Sequence, residues 1–230
     1  MPGGMSLKAR LIRRTVFGLV LLPVVIFLSA GTVNYWQGWA FLAVTFIPPL
    51  GMTVYFYYHD SQVLERRLLT REHVGFQKLI VPLVKLLFLS ALVLPGLDYR
   101  FAWSRTRCGP VPWWLTLLAL FVLLGCHLLF FLVLQANRFA ATVVQVEAGQ
   151  TVSDVGPYHI VRHPMYLGGV VSWLAIPLAL GSYLALLVAV SGIPVMILRL
   201  LNEEKFLRRE LPGYAEYCQR VRYRLIPSVW

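Results

Sequence analysis

Charge is scarce in this sequence, and negative charge most of all. Ten Asp and Glu stand against 21 Lys and Arg, and charged residues together make up 13% of 230. So few charges are too few to clothe an ordinary water-soluble domain. Cysteine is scarce as well. Cys108, Cys126 and Cys218 fall in an outer loop, an apolar run and the tail, so no pair shares a compartment and no disulfide or metal site is indicated. His159 and His163 have i, i+4 spacing, but Pro164 and the short loop around them do not suit a zinc helix, and no nearby cysteine completes a ligand set. No Gly-x-Gly-x-x-Gly follows a strand-like run, which excludes a soluble dinucleotide-type domain. A soluble basic segment with interleaved aromatics is also missing, and with it the signature of a nucleic-acid partner.

Apolar sequence is abundant, at 58%, and is gathered into runs at about 15–33, 36–58, 79–97, 113–136, 166–180 and 183–198. These predict an all-α polytopic membrane protein of about six apolar helices. The fifth run is short, about 22 Å as a helix against a hydrocarbon core of about 30 Å. Gly181-Ser182 then turns the chain back, predicting a C-terminal helical hairpin over 166–201. The chain divides into four N-terminal membrane helices, 1–135, and a region 136–230 made of a loop, the hairpin and a basic tail. Seventeen basic residues fall on one side of this arrangement: Lys8, Arg10, Arg13 and Arg14; Arg66, Arg67, Arg71 and Lys78; Arg138 and Arg162; and seven from Arg199 onward. Only Arg100, Arg105 and Arg107 fall on the other side, and Lys85 lies within a span close enough to the surface to snorkel. The positive-inside bias therefore places both termini in the cytosol. The basic start ahead of Leu28-Ser29-Ala30-Gly31 also has the form of a signal peptide, and its removal would leave the other helices oriented as before.

Between the second and third runs, 62–78 predicts an interfacial amphipathic helix with Leu64, Leu68 and Leu69 among charges. His127 reads as a satisfied interior histidine. After the fourth run, 135–161 forms a long polar loop in which Val143-Val144-Gln145-Val146 predicts an ordered, partly extended stretch. It ends in Gly156-Pro157-Tyr158, followed by Arg162-His163-Pro164-Met165-Tyr166-Leu167-Gly168. Pro164 suits the first turn of a helix, which leaves Arg162 and His163 at a helix N-terminus where an anion is favoured. Gly168-Gly169 permits close approach of a backbone or a flat ligand. The hairpin returns the chain to that side at Arg199-Leu200-Leu201-Asn202-Glu203-Glu204. An Arg199 to Glu203 helix pair is the plain alternative for these carboxylates.

From Asn137 onward the sequence resembles the isoprenylcysteine carboxyl methyltransferase family and the related phospholipid N-methyltransferases. The pieces that carry the resemblance are Gly156-Pro157-Tyr158, Arg162-His163-Pro164-x-Tyr166-x-Gly168, Glu203-Glu204-x-x-Leu207, Gly213-Tyr214-x-x-Tyr217 and Arg222-Tyr223-Arg224-Leu225-Ile226-Pro227. The resemblance implies an integral-membrane methyltransferase with cytosolic segments that bind S-adenosyl-L-methionine between the Arg-His-Pro and Glu-Glu motifs. The implied cofactor-binding residues are Gly156, Tyr158, Arg162, His163, Pro164, Tyr166, Glu203 and Glu204, with Arg162, Glu204 and Arg208 in the catalytic set and no metal. Arg162 or His163 meets the cofactor carboxylate in this scheme, and Glu203 or Glu204 its ribose hydroxyls. The acceptor is amphipathic, either an isoprenylcysteine-type carboxylate or a lipid amine, and the residues do not choose between them. Two alternatives stand beside this reading: a sterol-reductase-type membrane enzyme using a nicotinamide cofactor, and a non-catalytic member of the fold that binds a lipid or a partner.

Overall fold

The structure is a computed structural model that describes residues 5–69 and 75–230, and among these the regular structure is helical, with no strand. Among the described residues five helices are long and apolar enough to cross a membrane: α1 (Leu7–Ala30), α2 (Trp36–His59), α4 (Gly75–Phe101), α6 (Trp113–Ala136) and α8 (Tyr183–Glu210). A shorter apolar helix, α7 (Pro164–Ala179), makes the sixth. Short helices α3 (Ser61–Arg67), α5 (Arg105–Cys108) and α9 (Tyr214–Arg220) lie between and after them. The chain is thus an integral membrane protein of the expected all-α class.

The connector after α2 differs from the expected helix over 62–78. Its described part is α3, which stops at Arg67, and Gly75 to Lys78 already form the first turn of α4. The middle of that stretch, with Arg71 from the basic tally, lies outside the described residues. α3 is held by burial of Val63 and Leu64 beside Phe56 and Leu134, with Leu7 and Leu11 of α1 packed against them. This apolar cluster brings the start of α1 and the end of α2 to one membrane surface.

Close helix approach is achieved with glycine. A Cβ at Gly96 would fall 1.9 Å from Ser29 Oγ, so α4 meets α1 almost backbone to backbone. Gly168 lies against Phe130 of α6, and Gly192 of α8 against the Trp173 ring of α7. The Gly168-Gly169 pair therefore serves helix packing, and at Gly169 the nearest side chain would be Met196 at 3.9 Å. At the far end, Ile26, Tyr35, Phe41, Leu92, Leu120 and Ile176 belong to one buried cluster. Asp98, buried there at the end of α4, accepts from Ser104 N–H (2.7 Å) and from the hydroxyl of Ser182 (2.5 Å). Ser182 in turn caps α8 by accepting from Ala185 N–H. Gly181, at φ +73°, supplies the left-handed step that closes the α7–α8 hairpin.

Candidate active site

The loop after α6 does not hang free. Leu211, Tyr214, Tyr217, Cys218 and Val221 form a buried cluster with Val146 and Val152, so α9 folds back under the loop. The tail then passes the Arg-His-Pro segment: Arg162 N–H donates to Tyr223 O (2.9 Å) and His163 N–H to Arg224 O (3.0 Å). His163 is the N-cap residue of α7 and Pro164 its first residue. Pro164 has no N–H to lose at that position, which is why the helix begins there. The 3-10 turn Gly156–His159 precedes it, with Gly156 at φ +56°.

Between the loop, this turn, α7 and α8 lies a cavity of about 300 Å³. It is lined by Tyr158, Arg162, His163, Pro164, Tyr166 and Glu203 among the expected residues. Arg162 and His163 are buried, at 6% and 5% exposure. Glu203 accepts a hydrogen bond from Tyr166 (2.6 Å). Asn137 donates to the Tyr158 hydroxyl (3.3 Å), and Tyr217 donates to the Tyr158 carbonyl (2.7 Å). Burial pushes the Tyr158 phenol up to about 12 and raises those of Tyr214 and Tyr217 further. These three tyrosines are therefore neutral hydrogen-bonding groups at physiological pH.

Three expected residues are not in the cavity wall. Glu204, 3% exposed, faces the other way: Arg224 donates to it at 2.8 Å and Arg208 at 2.9 Å, while Arg162 and His163 lie 3.5 Å from it. Neighbouring residues on an α-helix point about 100° apart, so the two adjacent carboxylates serve two different places. Arg208 borders, with Glu204, Lys205 and Arg224, a second and more open hollow. Gly156 supports the turn from behind, next to Ala136. On the same face of α8 as Glu203, Arg199 donates to Thr142 O (3.2 Å), and Glu203 accepts from Tyr166.

Sequence reasoning missed several wall residues. Arg67, Phe139, Met196, Leu211 and Tyr214 line the cavity. Tyr214 had a signal in the Gly213-Tyr214-x-x-Tyr217 motif, and its hydroxyl lies 3.3 Å from His163 Nε2. Arg67 had none beyond its charge. One polar atom in the wall is left over: Arg162 Nε is buried and has no hydrogen-bond partner among the described residues. A buried guanidinium donor without a partner is costly, and a ligand with an acceptor group would relieve it. Among the described residues no three His, Cys, Asp or Glu side chains gather as metal ligands would.

Residues 113–212, from the start of α6 to just past the end of α8, match the phospholipid methyltransferase family. No curated protein matches the chain.

Proposed function

We propose, from the match of residues 113–212 to the phospholipid methyltransferase family, that this chain is a membrane methyltransferase, that it is S-adenosyl-L-methionine-dependent and that it works at the cytosolic surface. The observation that carries the reading is the buried Nε of Arg162, unpartnered among the described residues, in a cavity whose wall also presents Glu203. A methionyl carboxylate fits beside Arg162, at the N-terminus of α7, where the guanidinium and the helix dipole act in the same direction. Glu203 gives one carboxylate oxygen to Tyr166 and keeps the other for ribose hydroxyls. Tyr158, fixed at its hydroxyl by Asn137 and at its carbonyl by Tyr217, supplies a rigid ring and a neutral donor.

Held by Arg162, Glu203 and Tyr158, the cofactor would supply a sulfonium-bound methyl group for in-line displacement by the acceptor's lone pair, with the C–S electron pair left on sulfur. The protein's task is orientation and exclusion of water. α9 and the loop provide the exclusion by packing under the cavity. Glu204 is a positioning residue in this scheme: its carboxylate fixes Arg162 and His163 from behind, with Arg208 and Arg224 completing its shell. The acceptor is an amphiphile, with a carboxylate or an amine as nucleophile; a carboxylate is already ionised, whereas an amine must first lose a proton. The basic side of the bundle faces the cytosol in this reading, by the charge asymmetry of the loops.

The test is binding of S-adenosylhomocysteine to the detergent-purified protein by calorimetry, followed by transfer of radiolabelled methyl into lipid and prenyl-peptide acceptors. Binding to the parent and at least tenfold weaker binding to Arg162→Ala are expected. A parent that ignores the compound but binds a reduced nicotinamide cofactor would reverse the assignment.

A further inference from the structure

The cavity carries more positive charge than the proposed cofactor can use. Among the described residues its wall contains Arg67 and Arg162 beside the carboxylate of Glu203. S-adenosyl-L-methionine brings a sulfonium and an ammonium for its one carboxylate, so it adds positive charge to this set. Arg162 also shares Glu204, at 3.5 Å. Among the described residues Arg67 has no such relief.

Arg67 ends α3, in the half of the chain that precedes the family match. Three other basic residues of the N-terminal half and the loop are paired with carboxylates. Arg66 is held by Glu147 at 2.9 Å, Arg10 lies 3.7 Å from Glu65 and Arg138 lies 3.9 Å from Asp60. Among the described residues no carboxylate lies within ion-pair distance of Arg67. The cation beside it is repulsive: Arg14 of α1 donates to the Arg67 carbonyl (2.9 Å), and burial together with this like charge disfavours the cationic form of Arg67. A partly buried guanidinium beside another guanidinium calls for an anion, and the cavity is the side from which one can come.

The position says what kind of molecule would bring it. Arg14 stands in the second turn of α1, just before the uncharged run that starts at Thr15. Arg67, attached to it, therefore lies at headgroup depth, and Met165 and Met196 give the same cavity adaptable apolar wall. We propose that Arg67 holds the anionic head of the methyl acceptor, a phosphodiester or carboxylate joined to an apolar tail. This rests on the methyltransferase reading and narrows it: an amphiphile with no anion in its head is not a substrate. The two anions have different fates once the methyl has moved. A phosphodiester keeps its charge after an amine beyond it is methylated, whereas a carboxylate that is itself methylated becomes a neutral ester and loses its hold on Arg67.

The experiment uses the full-length protein in maltoside micelles and three probes: lysophosphatidylethanolamine, N-acetylfarnesylcysteine and dodecylamine. Dissociation constants are measured for each probe, and for S-adenosylhomocysteine, with the parent, Arg67→Ala, Arg67→Lys and Arg209→Ala. Arg209 is an exposed residue paired with Glu210 and controls for loss of charge alone. The parent is expected to bind one of the two anionic probes, and which one identifies the source; dodecylamine should bind at least tenfold more weakly. Arg67→Ala should weaken the anionic probe tenfold or more, Arg67→Lys by less, and Arg209→Ala by under twofold. S-adenosylhomocysteine should stay within twofold throughout. Should Arg67→Ala fold poorly, the intermediate loss in Arg67→Lys carries the same decision. The proposal is overturned if the parent binds neither anionic probe, if dodecylamine binds equally well, or if Arg67→Ala keeps the parent's affinity. It is also overturned if that variant loses S-adenosylhomocysteine tenfold, which would make Arg67 a cofactor ligand. Failure of the parent itself to bind S-adenosylhomocysteine sinks the methyltransferase reading instead, and leaves the probe affinities to judge Arg67 separately.

Discussion

Glu203 and Glu204 are adjacent, chemically identical and assigned opposite work, so changing each to glutamine separates structure from binding. Glu204→Gln removes a buried charge that three guanidiniums share, with contacts at 2.8, 2.9 and 3.5 Å. Breaking a buried ion pair costs about 3–5 kcal/mol. Arg208 and Arg224 are 45% and 30% exposed, so water screens part of their repulsion once the carboxylate has gone; the lower end, about 3 kcal/mol, applies. For a chain of this size each kcal/mol moves the thermal midpoint by about 2–4 °C, so a fall of about 6–12 °C is expected. Glu203→Gln removes a charge that, among the described residues, the Tyr166 hydroxyl contacts, and should shift the midpoint by under about 3 °C. Its effect is on ligand: the charge-assisted bond it loses contributes about 1.5–3 kcal/mol, a ten- to hundredfold weakening of S-adenosylhomocysteine. The assay is intrinsic-fluorescence melting in detergent, paired with calorimetric titration. The reasoning is refuted if Glu204→Gln melts with the parent, or if Glu203→Gln binds the ligand as the parent does.

S-adenosylhomocysteine should raise the parent's thermal midpoint in a concentration-dependent way, as a ligand of the native state must, and reduced nicotinamide cofactors should not; the melting assay reads both. Exposed Cys108 should react with an impermeant maleimide from outside the cell. Cys218 is buried and is a poor reporter, so cytosolic placement of the tail is checked with Gln219→Cys in a Cys218→Ala background, which should label only after permeabilisation. Gly96→Ala, whose Cβ would also lie 2.9 Å from the Ala30 backbone nitrogen, should lower the thermal midpoint by several degrees without changing ligand affinity below it.

The membrane helices were legible because lipid imposes a one-dimensional rule on sequence. The run at 113–136 has the bounds of α6, and the run from 36 begins where α2 does. The bounds fail where charge continues a helix past the hydrocarbon. α1 starts at Leu7 because Lys8 to Arg14 are helical too, and α8 runs on to Glu210 to carry both carboxylates and Arg208. The site was half legible. Motif order brought Arg162, His163 and Glu203 together, and Pro164 marked the start of α7. Which of two neighbouring glutamates faces the cavity depends on helix rotation relative to α7, which no local pattern states. The contribution of Arg67 depends on α3 lying under α1, fixed by the contacts of Val63 and Leu64 with distant helices.

The main-chain bonds from Arg162 and His163 to Tyr223 and Arg224 have a consequence for the order in which the protein comes into being. A chain is synthesised from its N-terminus, and its early parts fold first. The Arg-His-Pro segment leaves the ribosome some sixty residues ahead of the tail that holds it. Through that interval the hairpin of α7 and α8 can enter the bilayer, while the N–H groups of Arg162 and His163 still lack these partners. Insertion and activity are therefore separate events in the life of one molecule: the nascent protein can be fully embedded in its membrane before it has a working pocket.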